Sequence, residues 1–156
     1  MVVVPDGIPC VCGRRGCWER YASGAGIAVQ ARQAAEAGRL ETVVALAGGD
    51  PEAVRGEHVH AAAREGDPEA LAVLDGFAWW VALGLANLVN ATDPEVVVVG
   101  GGLGTAADLF LAPVRRHLTE WLYSPDERYL PRVEPAALGE RAGAIGAALL
   151  GGGTTG

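Results

Sequence analysis

All three cysteines of the chain fall in one short stretch, Cys10-Val11-Cys12-Gly13-Arg14-Arg15-Gly16-Cys17-Trp18-Glu19. Three thiols this close, with glycines between them, point to one metal site. Thiolate suits Zn²⁺, and glycine lets a backbone wrap an ion without Cβ clashes. A disulfide framework is the weaker reading, because the count is odd and Cys10 and Cys12 are too close to pair easily. Idle or buried thiols are the bland alternative. A closed structural zinc site takes four ligands, and the stretch supplies three. The chain's three histidines, His58, His60 and His117, all lie far from it in sequence.

The length of 156 residues fits one domain or one lobe of a larger protein, and 50% apolar residues suffice for a core. All twelve basic residues are arginine. Without lysine there is no Walker-A lysine, no Schiff base and no lysine general base. A net charge of −7 argues against nucleic acid as the main partner, since phosphate binding calls for a basic face. No run reads as long and apolar enough to span a membrane, and Val2–Val4 is too short for a signal sequence. Thiols held on a metal fit the cytoplasm.

Along the chain, Val2–Val4 reads as a short strand ended by the turn Pro5-Asp6-Gly7. A short helix is expected over Trp18–Ser23, broken by Gly24–Gly26, and a second over Ile27–Ala37, stopped by Gly38. Arg39–Gly49 is ambiguous, and Glu57–Arg64 reads as helix. There His58 and His60 project to different sides, so they make no i,i+4 metal pair. Asp67-Pro68-Glu69 starts a helix: an N-cap, a proline at N1, then an acid at the positive end. It should run to about Asn90 as the longest element and among the most buried, with Leu71, Leu74, Ala78, Val81, Leu85 and Leu88 along its seam and Trp79 and Trp80 in the core or a subunit interface.

Val96-Val97-Val98-Val99 reads as a parallel strand buried on both faces. Gly100-Gly101-Gly102-Leu103-Gly104 follows, then Thr105 to Asp108 in the pattern of a capping box. Strand, glycine loop and helix start make a generic anion cradle that lacks both P-loop and dinucleotide signatures. Pro113 should interrupt or kink the next helix, with Arg115, Arg116 and His117 solvated. Ser124–Pro131 reads as loop, and a short strand at Arg132–Glu134 is expected to pair in parallel with Val96–Val99. A closing helix over Leu138–Ala148 and a flexible Gly/Thr tail over 151–156 complete the chain.

Cys-x-Cys-Gly-x-x-Gly-Cys-x-Glu, here Cys10 to Glu19, resembles the zinc motif of the ROK family of repressors, open reading frames and kinases, which includes bacterial glucokinases. The valine strand ending in Gly100-Gly101-Gly102 is similar to that family's second nucleotide motif, and Asn87 to Asn90 with Asp93-Pro94-Glu95 also have its look. The resemblance runs from Met1 to about Leu150 and covers about half of a family protein. It implies an α/β fold, the C-terminal lobe of an actin-like ATPase (ribonuclease H-like) over 1–156, with a hairpin remnant and zinc loop over 1–23. It implies structural zinc on Cys10, Cys12 and Cys17, sugar hydroxyls on Glu19, and nucleotide against Gly100, Gly101 and Gly102. The family's fourth zinc ligand is a histidine upstream, and at the family spacing it would stand immediately before Met1. The partner strand of Val2–Val4 would also be upstream, so that strand is expected to lack a neighbour in this chain.

The family's Asp-x-Gly-x-Thr phosphate loop and the Asn-Asp pair carrying its catalytic base have no match here. Asp93 makes a turn and Asp108 starts a helix. The expected function is therefore the C-terminal lobe of an ATP-dependent hexose kinase, inactive alone, using Mg-ATP in the complete protein and self-associating as a homodimer or larger. Two further readings stay open: the sugar-sensing lobe of a ROK repressor, and a zinc-stapled dimerisation module without chemistry.

Overall fold

One helix carries most of the contacts. The computed structural model describes residues 1–100 and 106–152, and the side chain of Glu140 lies outside that description. Its central element is α4, Pro68–Thr92, which follows α1 (Gly24–Glu36), α2 (Glu41–Leu46) and α3 (Gly56–Arg64). Asp67 caps it, its carboxylate accepting from the Ala70 amide at 2.8 Å. That bond, with a second from the Thr42 side chain, holds the Asp67 carboxyl below the usual aspartate range.

Leu74, Phe77, Ala78, Ala82 and Val89 of α4 are fully buried. Phe77 meets Phe110 edge to face, centroids 5.4 Å apart, where α4 packs on α5 (Ala107–Trp121). α1 and α3 also pack against α4. By length and composition α4 is apolar enough to cross a membrane, which corrects the sequence reading. Its seam is filled by protein instead, and only the ends, Leu71 and Leu88, are exposed.

Strand β1 (Val96–Val99) pairs in parallel with β2 (Arg132–Pro135), Val97 opposite Val133. The expected parallel pairing is present, but burial on both faces is not: Val98 is 63% exposed. Among the described residues β1 has β2 as its single neighbour, and α4 and α5 cover one face of the pair. A buried strand pattern needs cover on both sides. β2 extends through Pro135, and the chain closes with α6, Ala142–Gly152, so Gly151 and Gly152 belong to a helix rather than a tail.

Several local expectations change. Gly24 to Gly26 open α1 instead of breaking the chain, because Ser23 caps the helix by accepting from the Gly26 amide. Pro113 sits inside a continuous α5. Thr105 lies outside the described residues, and Asp108 reaches across to Arg64 of α3 at 3.4 Å. His117 is not solvated: its side chain is 12% exposed, with Nε2 3.1 Å from Asp75 and Nδ1 3.5 Å from Glu120. Arg116 joins the same Asp75 carboxylate, and Arg115 donates to the Val133 carbonyl, tying α5 to α4 and to β2.

The amino-terminal segment is mounted on α4 through aromatic rings. The Trp18 indole N–H donates to the Trp80 carbonyl at 2.7 Å. A Cβ on Gly84, one turn further on, would fall 1.9 Å from Trp18 Cε2, so the ring lies directly on the helix backbone. Tyr21 stacks on Trp80 at 4.4 Å, Trp80 meets Trp79 at 4.8 Å, and Trp79 meets Trp121 of α5 at 5.3 Å. The tryptophan pair is therefore an internal joint.

Gly84→Ala is expected to destabilise the protein by about 1–3 kcal/mol, because the added methyl must displace a ring seated on backbone. Gly76→Ala in the same helix meets nothing closer than Gln30 Oε1 at 3.7 Å. It should be neutral or stabilising by about 0.5–1 kcal/mol, the helix-propensity difference. Denaturant unfolding of the two variants separates a packing requirement at Gly84 from a general intolerance of the helix.

Candidate metal centre and its flanking acid

The cysteine loop is built by short-range backbone bonds. Val2 bridges Cys17 and Pro9 bridges Arg15, so residues 14–17 run between two flanking segments. Val3 donates to the Gly16 carbonyl at 2.8 Å, and Gly16 donates to the Ile8 carbonyl at 2.9 Å. Val2–Val4 forms no strand, against expectation: Val2 makes one isolated bridge to Cys17, and the segment's backbone partner, Gly16, lies inside this chain. Gly16 makes the crossing possible: its φ is +68°, and a Cβ there would fall 1.5 Å from the Val4 carbonyl oxygen. At the tip, Cys10 donates to the Arg14 carbonyl at 2.8 Å and Gly13 to the Cys10 carbonyl at 3.0 Å, which turns the chain around Cys12. Tyr21 supports the base, its hydroxyl accepting from the Ile8 amide at 2.9 Å.

This turn brings the three sulfurs of Cys10, Cys12 and Cys17 within 4.8 Å of one another. Tetrahedral ligands about 2.3 Å from a common zinc lie roughly 3.8 Å apart. The Cys12–Cys17 separation is 3.5 Å. Spacing and donor set both fit Zn²⁺. Cys12 is exposed, and Cys10 and Cys17 are half-buried.

The thiols are electrostatically unequal. The Cys12 thiol is held below the ordinary cysteine value, first by a hydrogen bond from the Arg14 backbone, then by the thiols of Cys17 and Cys10. Cys17 is pushed up to about 11, chiefly by its hydrogen-bonding contact with the Cys12 sulfur and then by burial. A divalent cation would reverse the sense at Cys17 and reinforce it at Cys12, since it favours the thiolate at every ligand. The histidines do not complete the set among the described residues. His58 Nδ1 accepts from the Arg55 amide at 3.2 Å, His117 lies against Asp75, and His60 has its Nε2 buried without a partner. Burial lowers the His60 pKa, with Arg64 adding to it.

Glu19 stands in the 3₁₀ turn Trp18–Arg20, for which Cys17 is the N-cap. Its carboxylate is exposed and has no partner among the described residues, while Trp18 before it is pinned to α4. Gly100 follows β1, exposed, where a Cβ would lie 3.4 Å from the Ala136 side chain. Gly101 and Gly102 lie outside the described residues. The sequence reading missed the Trp18–Gly84 seat. Its only trace was a tryptophan directly after the last cysteine and a glycine inside an apolar helix.

The fold and this loop define an α/β lobe like those of ROK sugar kinases. A crystal structure of a ROK family glucokinase from Streptomyces griseus in complex with glucose and AMPPNP superposes with a TM-score of 0.90 at 39% identity, covering 96% of this chain and 49% of that one. The ROK family model matches residues 1–152, and the chain belongs to the ROK family. A glucokinase of Streptomyces coelicolor is 43% identical over 148 residues, covering 94% of this chain and 47% of the relative. A ROK family transcriptional regulator, a homologue of the Escherichia coli MLC protein, superposes with a TM-score of 0.70 at 26% identity, covering 86% of this chain and 33% of that one. The chain spans about half the length of the curated relatives it matches.

Zinc uptake should be pH-dependent with a defined sign. A metal at Cys17 must displace a proton held up to about 11, so affinity should rise with pH and each ion bound should release protons. Competition titration with a chromogenic chelator between about pH 6 and 8 checks this. A pH-independent affinity would mean that the thiols are not the ligands.

Proposed function

We propose that this chain is the C-terminal lobe of an ATP-dependent hexose kinase of the glucokinase kind. The observation that carries the proposal is the 43% identity to a glucokinase along 94% of the chain, together with an intact Cys10-to-Glu19 loop. In this reading Zn²⁺ on Cys10, Cys12 and Cys17 is a structural staple, with water or another chain as fourth ligand. When bound, it would neutralise the thiolates and stiffen the loop. Glu19 accepts hydrogen bonds from sugar hydroxyls. A carboxylate acceptor makes stronger bonds than a neutral amide, and its turn is fixed on both sides, by Cys17 before it and Tyr21 after it. Gly100, Gly101 and Gly102 are assigned to the nucleotide. Glycine at the end of a strand lets a phosphate or base approach backbone closely.

Phosphoryl transfer also needs a group to take the proton of the attacking hydroxyl and a cation beside the phosphates. Asp93 and Asp108 are not candidates for the base. Arg128 pairs with Asp93, and Arg64 with Asp108. The base and the Mg²⁺-phosphate contacts are therefore assigned to the other half of a complete kinase. Self-association belongs to the same proposal, because Trp121, Tyr129, Leu149 and Leu150 are exposed on the lobe. The sugar-sensing reading rests on the MLC homologue's likeness. It predicts sugar binding without phosphoryl transfer.

The test is a coupled ADP-release assay with glucose and other hexoses. The 156-residue chain alone should show no turnover. Joined to the amino-terminal half of the Streptomyces coelicolor glucokinase it should turn over, and Glu19→Gln in that protein should raise the sugar KM by about tenfold or more, the value of a charge-assisted hydrogen bond. Turnover by the short chain would refute the assignment of the base, and binding without turnover by the joined protein would favour the sensor.

A further inference from the structure

The sulfur cluster offers a second chemistry besides metal ligation. Cys12 and Cys17 are in sulfur–sulfur contact at 3.5 Å, and a disulfide bond is about 2.05 Å long, so closure needs roughly 1.5 Å of travel. The two thiols differ in mounting. Cys12 is exposed at the loop tip, between the backbone bonds that join Cys10 to Gly13 and to Arg14. Cys17 is fixed at the base, bridged to Val2 and followed by the pinned Trp18. Side-chain rotation at the tip can close the gap while the base stays seated. Cys10 is the poorer partner for Cys12: two residues away, it is too near in sequence to bridge without distortion.

We propose that Cys12 and Cys17 are a reversible oxidation site, closing to an intramolecular disulfide with a peroxide oxidant, and that disulfide and bound metal are alternative states of the same sulfurs. The step balances. The exposed Cys12 sulfur attacks hydrogen peroxide, the O–O bond breaks, and a sulfenic acid and one water form. The Cys17 sulfur then attacks the Cys12 sulfur and expels the hydroxyl, which leaves as a second water once protonated. Two thiols are oxidised by two electrons and the peroxide is reduced. Cys10 alone cannot retain the ion, because a structural zinc site draws on four ligands. The alternation with metal rests on the zinc reading above, whereas disulfide closure in the metal-free chain does not.

The experiment exposes metal-free and zinc-loaded protein to stoichiometric hydrogen peroxide. Intact mass, disulfide-mapped peptides and zinc released to a chromogenic chelator are read. The metal-free chain should lose two hydrogens, with Cys12 joined to Cys17 and Cys10 still alkylatable. The zinc-loaded chain should react more slowly, by about tenfold or more, since coordinated thiolates are less available. It should release one zinc per disulfide and recover both thiols and zinc uptake after phosphine reduction. Cys10→Ser should still close the bridge, and Cys12→Ser should not. Added oxygens without loss of hydrogens, a bridge through Cys10, or a disulfide between chains in the metal-free protein would overturn the site. A bridge that forms while zinc stays bound would overturn the alternation.

Discussion

The seat of Trp18 on α4 is the contact on which the proposed chemistry depends. An indole N–H bonded to the Trp80 carbonyl and a ring lying on the bare backbone of Gly84 join a small loop to the central helix of the lobe. Without that joint the amino-terminal segment would keep the Tyr21–Trp80 ring contact and its local backbone bonds but few other apolar contacts, and a segment so lightly held opens easily. With it, the last cysteine and the proposed sugar carboxylate stand immediately before and after a fixed residue. Three thiols by themselves could hold an ion on a floppy loop. Held at their base by Trp18, they transmit order to Glu19.

The joint works because α4 is itself over-determined. Its cap, its Phe77–Phe110 contact with α5 and the Asp75–His117 pair hold it from several directions. The ring sequence Tyr21, Trp80, Trp79, Trp121 then runs from the loop across α4 to α5. Edge-to-face and tilted contacts of this type add about 0.5–1.5 kcal/mol each beyond burial. The loop is thereby coupled to the packing of the lobe as a whole and not to one neighbour.

Much of this was legible in the sequence, for identifiable reasons. The cysteine cluster, the α4 start at Asp67-Pro68 and the parallel pairing of Val96–Val99 with Arg132–Glu134 carry strong local signals, and they appear in the structure. What failed depended on contacts between distant residues. His117 reads as solvated among arginines, yet Asp75 and Glu120 enclose it. Val2–Val4 reads as a strand without a neighbour, yet Gly16 lets the chain double back to it. Val98 reads as buried because periodicity reports hydrophobicity, not whether cover is at hand. Trp18 and Gly84 are unremarkable separately, and only the fold brings them into contact.

The central claim is that Trp18 couples the cysteine loop and Glu19 to α4. Amide hydrogen exchange on the wild-type chain and on Trp18→Phe, which keeps an aromatic ring but removes the indole donor, tests it most directly. The account predicts that protection falls across residues 8–23 in the variant, with protection at α5 and the β1–β2 pair unchanged. Unaltered exchange in the loop, or a uniform loss across the whole lobe, would contradict it.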